Sequence, residues 1–352
     1  MIRPTYAEIN LNNLTDNYQA FKVSLKKTTA VLVVVKANAY GHGLVECARH
    51  LEETTDVEMF GVATIEEGIA LRKQKIKTDI LVLGSIFPFA SFKYLLEYNL
   101  TPTVASTYIA SELSKFYAQY KKKVKVHLKI DTGMGRIGFS ANLLNNLNFP
   151  YLEIEGIYTH VASADIDRES TLKQIADFRA IKNNFTNIKY FHLANTETTF
   201  NYDHAEFDMV RTGLSIYGLY GKFKPVMRLK SKVVFLKTVP PNTGISYGKT
   251  YITYRTTKVA TVAIGYADGY KRILSNRIYA TINGQNVRQI GTICMDMCMF
   301  DVTDLASIKV GDDIEFINQD ITVNKIAELA ETIPYEIVTQ ITSRVPRVFI
   351  LK

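Results

Sequence analysis

Eight short runs rich in Val, Ile and Leu, separated by longer amphipathic runs, constrain what the first two thirds of this chain can fold into. Near-continuous hydrophobic strands that alternate with helices favour a parallel sheet covered on both faces. Eight such repeats favour a closed, TIM-like (β/α)8 barrel over an open doubly wound sheet. We expect helix starts near Thr64–Glu67 and Ser111–Glu112, where N-capping residue types occur. The predicted strands are Ala30–Val35, Met59–Ala63, Ile80–Leu83, Thr101–Ala105, Val124–Ile130, Glu153–Thr159, Tyr190–Ala194 and Phe207–Val210, and the predicted helices include Leu44–Leu51, Ile65–Arg72, Thr107–Tyr120 and Leu172–Lys182.

The sequence changes in character after about Pro225, where strand-like runs follow one another almost without helices. An Asn-Gly pair between two apolar runs is a strong signal of a two-residue hairpin. Only Val323–Thr332 has clear helical spacing. We therefore predict an α/β barrel over residues 1–226 and a mostly β domain over residues 227–352. The turn signals of the second domain are Pro240–Pro241–Asn242, Asp268–Gly269 and Asn283–Gly284, the last lying between Ala280–Ile282 and Val287–Ile290.

The composition argues against several classes of protein. The 352 residues carry a net charge of +8, and the one dense basic run, Lys121–Lys123, contains no aromatic residues, so we expect no nucleic-acid partner. Met1–Asn10 lacks the apolar segment of a secretion signal, and the longest apolar run is too short to span a bilayer, which favours a cytoplasmic protein. The three cysteines form no CxxC pair, so we expect neither a disulfide framework nor a metal site.

The first predicted strand ends at Lys36, within the segment VVKANAYGHG. A lysine that closes a hydrophobic strand is costly to desolvate unless it finds a partner or becomes neutral. One interpretation is a lysine whose ammonium group reaches past the rim into water, and position alone favours it. The other is a Schiff-base lysine, whose amine must be partly deprotonated to attack an aldehyde.

The fifth predicted strand leads into LKIDTGMGRIG, in which Gly133, Gly135 and Gly138 spell the dinucleotide fingerprint GxGxxG. That fingerprint should follow the first strand of a βαβ unit and open a helix at the pyrophosphate. Here it follows a fifth strand and contains Arg136. We therefore disfavour a nicotinamide cofactor.

Polar residues also close the last three predicted strands, where catalytic residues of an eight-fold barrel lie. The sixth strand ends at His160, the seventh leads to Asn195 and Thr196, and the eighth leads to Arg211 and Gly213. A lone histidine is more often structural than catalytic. The loops after the last two strands commonly bind phosphate, for which a threonine hydroxyl and free backbone amides are suited.

Ten motifs occur in one order from residue 34 to residue 347: VVKANAYGHG, LKIDTGMGRIG, GIYTHVA, ANTE, VRTGLSIYG, ISYGKTY, IGYADGY, GTICMD, PYEI and RVPR. In this the chain resembles the alanine racemases. The resemblance implies a barrel that binds pyridoxal 5′-phosphate (PLP), a C-terminal β domain and a homodimer with shared active sites. It further implies interconversion of L-alanine and D-alanine, which supplies D-alanine for peptidoglycan.

The resemblance implies a role for each matching residue. Lys36 matches the lysine that holds PLP and serves as one base, and Tyr247, supplied by the partner subunit, matches the base on the opposite face. His160 matches the histidine that connects this tyrosine to the arginine matched by Arg211. Arg211 matches the group facing the pyridine nitrogen; because guanidinium only donates hydrogen bonds, it leaves that nitrogen unprotonated, which we expect to limit side reactions such as transamination. Arg136 matches an arginine beside the phenolic oxygen of the cofactor and the substrate carboxylate.

Further positions match the surroundings of this site. Lys129 matches a lysine that is often carbamylated in the family. The matches for cofactor binding are Tyr40, Asn195, Thr196, Gly213, Leu214 and Tyr335; those for substrate binding are Met295 and Asp296; and those for the access corridor are Asp165, Tyr266, Arg272 and Ile333.

Two departures and two alternatives stay open at this point. Family members usually have Asn-Ser where this chain has Asn195–Thr196, and often an arginine where it has Thr292, which puts the charge of the corridor in doubt. The chain could act on another amino acid, such as serine, or be a non-catalytic PLP-binding barrel protein, although it retains Tyr247 and Met295. PLP-dependent decarboxylases usually carry a glycine-rich phosphate loop, and no Gly-Gly-Gly run occurs here.

Overall fold

The computed structural model describes residues 3–140 and 149–351. Its contacts divide the chain into two compact units. We call them the barrel unit, formed by Thr15–Ala39 and Leu44–Ile216, and the sheet unit, formed by Met1–Leu14, Tyr40–Gly43 and Tyr217–Lys352. Among the described residues, no helix is both long and apolar enough to cross a bilayer.

The secondary structure is as follows. The strands are β1 (Tyr6–Asn10), β2 (Ala30–Val34), β3 (Met59–Val62), β4 (Asp79–Val82), β5 (Thr101–Val104), β6 (Val124–Lys129), β7 (Leu152–Tyr158), β8 (Tyr190–His192), β9 (Met209–Thr212), β10 (Met227–Val239), β11 (Gly244–Ile245), β12 (Tyr251–Ile252), β13 (Thr257–Val262), β14 (Tyr279–Ile282), β15 (Gln285–Gln289), β16 (Cys298–Asp301), β17 (Asp313–Ile317) and β18 (Arg347–Ile350). The helices and helical turns are α1 (Leu11–Val23), α2 (Lys36–Tyr40), α3 (Leu44–Thr54), α4 (Ile65–Lys73), α5 (Phe92–Glu97), α6 (Thr107–Gln119), α7 (Arg168–Lys182), α8 (Thr196–Asn201), α9 (Val323–Leu329) and α10 (Pro334–Thr339).

The barrel unit is a closed barrel of the eight parallel strands β2 to β9. The last strand returns to the first, with Ala30 opposite Met209, so the sheet has no free edge. Each strand corresponds to one of the predicted hydrophobic runs, because strands buried on both faces must be apolar almost throughout. The predicted (β/α)8 barrel is confirmed.

The two predicted helix starts differ in outcome. Thr64 caps α4, and its side chain accepts a hydrogen bond from the Glu67 amide, as predicted. The second prediction, Ser111–Glu112, is wrong. Helix α6 is instead capped by Ser106, whose hydroxyl accepts a hydrogen bond from the Ile109 amide at 3.2 Å. Ser106 follows β5 in an extended conformation, which is the geometry an N-cap residue requires.

The interior of the barrel contains an unusual number of polar side chains. Strand side chains alternate in direction, so Lys125, His127 and Lys129 share one face of β6. His127 and Lys129 are buried, as are His192 on β8 and Arg211 on β9. Barrel cores of this class are usually filled by Val, Ile and Leu. Buried polar groups of this kind must be hydrogen-bonded to one another to be stable.

The sheet unit contains an eight-stranded sheet in the order β13-β16-β15-β14-β17-β10-β1-β18. Strand β10 also pairs with β13, which closes six of these strands into a ring. Strands β1 and β18 are parallel, and the other pairs are antiparallel. The predicted hairpin is confirmed: Asn283 and Gly284 join β14 to β15 with φ of +50° and +75°, as a two-residue turn of this kind requires. The predicted mostly β domain is confirmed.

Two elements of the sheet unit were not anticipated. Strand β1 lies within the range 1–226 predicted for the barrel, yet it pairs with β10 and β18 of the sheet unit. A strand whose partners lie more than two hundred positions away leaves no local signal of that pairing, since Tyr6 is opposite Lys230. The predicted helix Val323–Thr332 is shorter, and a second helix, α10, follows it with Pro334 in its first turn.

Candidate active site

Lys36 follows β2 at the start of a left-handed turn. The four residues Ala37–Tyr40 have φ between +51° and +56°, a region that costs a non-glycine residue about 1–2 kcal/mol. Side chains of the barrel unit hold the turn. Glu67 accepts a hydrogen bond from the first amide of the turn at 2.6 Å, and Asn38 accepts one from the amide of Leu44 at 2.9 Å. The turn therefore gives Lys36 a fixed exit from the strand.

The amine of Lys36 lies in a cationic environment. Burial is the largest cause that lowers its pKa, and the charge of Arg136 lowers it further. Glu67 opposes this shift, while Arg211 adds to it. A lowered pKa increases the fraction of neutral amine, which is the form that acts as a nucleophile or base.

Arg211, at the end of the barrel sequence, lies within hydrogen-bond distance of five acceptors through Nη1 and Nη2, and none of these acceptors is a carboxylate. Its Nη1 lies 2.9 Å from both Nδ1 and the carbonyl oxygen of His192. Its Nη2 donates to the carbonyl oxygens of Thr159 (2.7 Å) and Leu193 (2.9 Å) and lies 3.1 Å from Nδ1 of His160. Because guanidinium only donates, both imidazole Nδ1 atoms must accept.

Burial and this cation keep His160 neutral. Burial is the largest cause that lowers its pKa well below the usual value, followed by the charges of Arg211, Lys129 and Arg136. Burial also lowers the pKa of Arg211 to about 10. A neutral His160 whose Nδ1 accepts from Arg211 carries its proton on Nε2. That nitrogen can therefore donate a hydrogen bond to an oxygen placed before it.

Lys129 is 3% exposed and has no carboxylate contact within hydrogen-bond distance among the described residues. Burial, Arg211 and Arg136 lower its pKa to about 7, against a smaller opposing effect of Asp131. Its ammonium lies 4.9 Å from the ring centre of Tyr158. A substantial fraction of this amine is therefore neutral near neutral pH, as reaction with carbon dioxide requires.

Tyr158 is a site residue that the sequence prediction missed. Its ring stacks on His192 at 4.7 Å between ring centres, and the guanidinium of Arg211 lies 5.3 Å from its centre. Its hydroxyl lies 2.8 Å from the hydroxyl of Thr103. The available signal was its place in GIYTHVA, two positions before His160, which puts both side chains on one face of an extended segment.

The glycine-rich segment after β6 is a loop that carries Arg136. Asp131 accepts hydrogen bonds from three successive amides, those of residues 133, 134 and 135, at 2.8–3.1 Å. Burial alone would raise the pKa of Asp131, but these hydrogen bonds and the charge of Lys129 lower it. Gly138 has φ of +145°, and a Cβ there would lie 2.5 Å from the amide nitrogen of Asp131. These glycines serve the turns of the loop.

Buried hydroxyl groups cluster after β8 and β9. The hydroxyl of Thr196 lies 3.1 Å from that of Thr212 and 3.4 Å from that of Ser215. Thr212 and Ser215 are also hydrogen-bonded to each other. Asn195 caps α8 by accepting from the Thr198 amide, and Gly213 and Leu214 lie between two of the hydroxyls. The prediction named Thr196 but missed Thr212 and Ser215, although both lie in VRTGLSIYG.

In the sheet unit, Tyr247 is 72% exposed and its backbone is anchored. The hydroxyl of Thr292 donates to the carbonyl oxygen of Tyr247 at 2.9 Å. The preceding residue, Ser246, donates to the carbonyl oxygen of Thr292 at 2.6 Å. Thr292, the position where relatives often have an arginine, is thus buried and fixes the backbone of the predicted base.

Met295 is 52% exposed, and its backbone lies against a tight turn. The Met295 carbonyl oxygen accepts from the Ala267 amide at 3.0 Å, and a Cβ on Gly265 would lie 2.4 Å from it. The next residue, Asp296, accepts a hydrogen bond from Arg344 at 2.6 Å.

Asp268, at the end of the turn that begins at Gly265, is fully buried. Arg3 donates to both of its carboxylate oxygens at 2.5 Å.

The remaining predicted residues are distributed over both units. Tyr40 is buried, and its ring packs against Tyr335 (5.4 Å) and Tyr217 (5.0 Å) in the sheet unit. Burial raises the pKa of the Tyr40 phenol, so this phenol is a hydrogen-bond donor and not an anion. All four predicted corridor residues are exposed, one in the barrel unit (Asp165) and three in the sheet unit (Tyr266, Arg272 and Ile333).

Comparison with known proteins shows the family of this chain. The profiles "Alanine racemase, N-terminal domain" and "Alanine racemase, C-terminal domain" match residues 9–221 and 226–349. The chain belongs to the alanine racemase family. The alanine racemase of Halothermothrix orenii is 40% identical to it, an alignment that covers 98% of this chain and 96% of that relative.

Solved structures of alanine racemases have the same fold. The enzyme of Clostridium difficile gives a TM-score of 0.93 at 36% identity, over 99% of this chain and 96% of that one. The alanine racemase of Bartonella henselae, solved with covalently bound pyridoxal phosphate, gives a TM-score of 0.91 at 29% identity, over 99% of both chains. The predicted family and fold are confirmed.

Proposed function

We propose that this protein interconverts L-alanine and D-alanine with PLP held in its barrel unit, by a two-base mechanism that uses Lys36 and Tyr247. The observation that carries this proposal is the constellation at the carboxyl ends of the barrel strands. A lysine with a lowered pKa lies there among cations, and Nη1 and Nη2 of Arg211 are held by five acceptors, none of which is a carboxylate.

The residues present fit PLP. Lys36 would hold it, the hydroxyls of Thr196, Thr212 and Ser215 would receive its phosphate, and Arg211 would donate to its ring nitrogen. The three hydroxyls are buried and close together, which suits an anion that must be bound without a full complement of cations. When bound, PLP supplies an electron sink for negative charge at the substrate α-carbon. The relative from Bartonella henselae carries the same cofactor.

In this proposal Lys36 takes and returns the proton on one face of the α-carbon. A base works best when its pKa is near the working pH, and both burial and Arg136 lower the pKa of Lys36 in that direction. Arg136 would orient the substrate carboxylate, a pairing for which guanidinium geometry is suited. Asp165, Tyr266, Arg272 and Ile333 would line the corridor by which the amino acid arrives.

Tyr247 would serve the opposite face from a second copy of the chain. A phenol has a pKa of about 10 and needs a hydrogen-bonded partner to give up its proton near neutrality. His160, neutral with Nε2 protonated and backed by Arg211, is such a partner for the partner subunit's Tyr247. The exposure of Tyr247 and Met295 fits side chains that meet another copy, so we propose a homodimer with shared sites.

Hydrogen exchange tests the activity. L-Alanine and D-alanine are incubated separately in D2O with PLP-loaded parent or Tyr247→Phe, and both deuterium uptake at the α-carbon and optical inversion are followed. We expect inversion by the parent and a loss of about 10²–10⁴-fold in Tyr247→Phe, mainly for one enantiomer. Inversion of serine but not alanine would keep the chemistry and change the substrate. A folded, PLP-loaded parent that exchanges no amino acid would contradict the proposal.

Hybrid dimers test the sharing of sites. Lys36→Ala and Tyr247→Phe are each expected to be nearly inactive, and subunits of the two variants are exchanged in equal amounts. If each site takes Lys36 from one subunit and Tyr247 from the other, half of the dimers carry one intact site, and about a quarter of the parent activity returns. No recovery, with exchange verified by native mass spectrometry, would show that each site draws on a single subunit.

We also propose that Lys129 is carbamylated. Its pKa of about 7 leaves neutral amine to react with carbon dioxide, and the product anion would pair with Arg136 and Arg211 instead of repelling them. Protein equilibrated with 13C-bicarbonate should show a carbamate carbon signal that is absent in Lys129→Met. Equal signals in both proteins would place the modification elsewhere.

In the cell, the proposed product would serve peptidoglycan, the polymer that the family supplies with D-alanine. Expression of the chain should rescue a D-alanine-requiring bacterium, and the Lys36→Ala variant should not. Growth with the Lys36→Ala variant would contradict this role.

A further inference from the structure

A chain of hydrogen-bonding groups runs from Arg211 through the inside of the barrel to Glu155, which no step proposed above uses. Arg211 Nη1 lies 2.9 Å from Nδ1 of His192, and Nε2 of His192 lies 2.8 Å from Nδ1 of His127. Nε2 of His127 then faces Oε2 of Glu155 at 3.9 Å. Among the described residues, neither of these last two atoms has a hydrogen-bond partner. The other oxygen of Glu155 accepts from Lys125 at 2.8 Å.

The chain has one direction. Guanidinium cannot accept, so Nδ1 of His192 carries a lone pair and its proton lies on Nε2. That proton is donated to Nδ1 of His127, which places the proton of His127 on Nε2 as well. The last N–H therefore points at the carboxylate of Glu155. Arg211 and His192 donate hydrogen bonds away from the guanidinium, and each bond polarises the next in a low-dielectric interior. The last step, from His127 to Glu155, is an electrostatic approach over 3.9 Å.

The local backbone is built to bring Glu155 and His127 together. In the ladder of β6 and β7, Val126 is opposite Ile154 and His127 is opposite Gly156, so Glu155 is an extra residue in a bulge. Bulges change the direction in which a side chain points, and here the Glu155 side chain is only 6% exposed. A Cβ on Gly156 would lie 2.5 Å from Nδ1 of His127. The glycine thus leaves the room that the imidazole occupies.

The charges at this end of the barrel keep the carboxylate ionised. The adjacent His127 imidazole is the largest cause that lowers the pKa of Glu155 to about 2; burial opposes it, and Lys125 lowers it further. Burial lowers the pKa of His127 in spite of Glu155, so the ring is neutral. Asp79 also faces this group and acts on both Lys125 and His127. The chain therefore joins a cation to an anion through two neutral rings.

We infer that Glu155 is a positioning residue for racemisation: its carboxylate stabilises the His127 and His192 tautomers that Arg211 requires, and thereby stabilises Arg211 as a donor at the ring nitrogen of the cofactor. This inference rests on the proposed function for its catalytic consequence but not for the tautomers. Without the carboxylate, the Nε2 proton of His127 is selected only by the donors on the Arg211 side, and no negative charge faces this N–H. A proton on Nδ1 of His192 or His127 would point at the N–H group that donates to that ring, and the hydrogen bond between them would be lost.

Histidine tautomers are measured directly in the protein without PLP. The chain has six histidines, and 15N labelling with single substitutions assigns the signals of His127 and His192. In the parent we expect both rings to be neutral at neutral pH, with the proton on Nε2. In Glu155→Leu, which removes the acceptor, we expect a mixture of tautomers at His127 and a shifted His192 Nδ1 signal. Glu155→Gln retains an acceptor oxygen and should keep the tautomers of the parent. This variant also provides a test if Glu155→Leu does not fold.

Activity gives the second readout. We expect Glu155→Leu to lower kcat about tenfold with little change in KM, the size of one lost hydrogen bond in a buried, charge-assisted chain. Glu155→Gln should lose less, and Gly156→Ala, which crowds His127, should resemble Glu155→Leu. Glu153→Gln is the matched control, because it removes an exposed carboxylate from the same strand; it should keep kcat within about twofold. The absorbance maximum of the PLP-loaded protein should shift in Glu155→Leu but not in Glu153→Gln.

The outcomes separate this inference from the proposed function. Parent-like tautomers and kcat in a folded Glu155→Leu would overturn the inference while the racemase proposal stands. If Glu155→Leu alters the tautomers but the parent protein racemises no amino acid, the effect of Glu155 on the two rings is confirmed and its role in catalysis is not. Altered tautomers with unchanged kcat and absorbance would show that Arg211 is held by its backbone acceptors alone.

Discussion

The barrel unit and the sheet unit present their predicted site residues in opposite ways. In the barrel unit, Lys129 and Arg211 are 3% and 5% exposed and shift the pKa values of their neighbours. In the sheet unit, the side chains of Tyr247 and Met295 are half or more exposed, while their backbone is held by hydrogen bonds. Lys129 and Arg211 are thus fixed by burial of their side chains, and Tyr247 and Met295 by anchoring of their main chain.

For the shared site that we propose, this difference indicates how the contributions of two copies could be prepared in advance. Groups that hold a cofactor need a preorganised, dry environment before the partner arrives, because electrostatic tuning requires low dielectric. A group delivered to another copy must stay at the surface until it docks, so only its backbone can be fixed in advance. We therefore expect substitutions in the two units to have different effects.

Replacing Lys36 should remove nearly all activity. Lys36→Ala takes away both the attachment point of the cofactor and one base, and we expect racemisation to fall about 10⁴-fold or more. Borohydride reduction followed by mass spectrometry should label the parent with PLP and leave the variant unlabelled. Lys115→Ala, at an exposed lysine paired with Glu112, is the control and should retain labelling and rate. A PLP label in Lys36→Ala would assign the attachment to another lysine.

Breaking the buried ion pair of the sheet unit should chiefly affect stability. Asp268→Asn removes the charge that accepts from Arg3, whose side chain is 26% exposed, and we expect a loss of about 2–3 kcal/mol in the free energy of unfolding. Denaturant unfolding measures it, with Asp313→Asn, an exposed partner of Lys232, as the control. An equal loss in the control would mean that burial does not increase the contribution of the Arg3–Asp268 pair to stability.

Replacing Lys129 should make the barrel unit more stable in buffer free of carbon dioxide. Its pKa is about 7 when folded and about 10.4 when unfolded, so the unfolded chain binds more protons between these values and stability rises with pH across that window. Below pH 7 the full cost of the buried charge remains. Lys129→Met should therefore be more stable than the parent, by about 2 kcal/mol at pH 6.5, with the gap closing towards pH 10. A gap that does not change with pH would contradict the lowered pKa.

Thr292 offers the smallest and most selective change. Thr292→Val removes the hydroxyl that donates to the carbonyl oxygen of Tyr247, and we expect kcat to fall about fivefold, the size of one hydrogen bond. Thr292→Ser keeps the donor and should behave as the parent does. If serine and valine variants lose activity equally, packing of the methyl group, and not anchoring of the backbone, is what Thr292 contributes.

The sequence predicted the barrel well because its signal is local. Eight hydrophobic runs are visible in isolation, and the residues that close them, such as Lys36, His160 and Arg211, must lie at one end of a barrel once it closes. Strand β1 could not be predicted in the same way, since the pairing of Tyr6 with Lys230 is decided by the rest of the sheet unit.

Within the site, the sequence indicated residue roles but not the contacts behind them. Tyr158, Ser215 and Glu155 were missed because an aromatic, a hydroxyl or a carboxylate in a strand or loop has no distinctive spacing. The bulge at Glu155 depends on the register between two strands, which the sequence of either strand alone does not show. Thr292 was recognised as a departure from relatives, but its contact with the backbone of Tyr247 became visible only in three dimensions.

The left-handed turn after Lys36 has a consequence for how this chain tolerates genetic change. Four successive non-glycine residues at φ near +53° represent about 4–8 kcal/mol of conformational cost, comparable to the entire net stability of many proteins. The remainder of the fold already offsets that cost, so fewer random substitutions elsewhere suffice to bring the chain below the threshold for folding. The turn therefore reduces the tolerance of this protein to substitutions elsewhere, and directed evolution of its specificity should start from a stabilised parent.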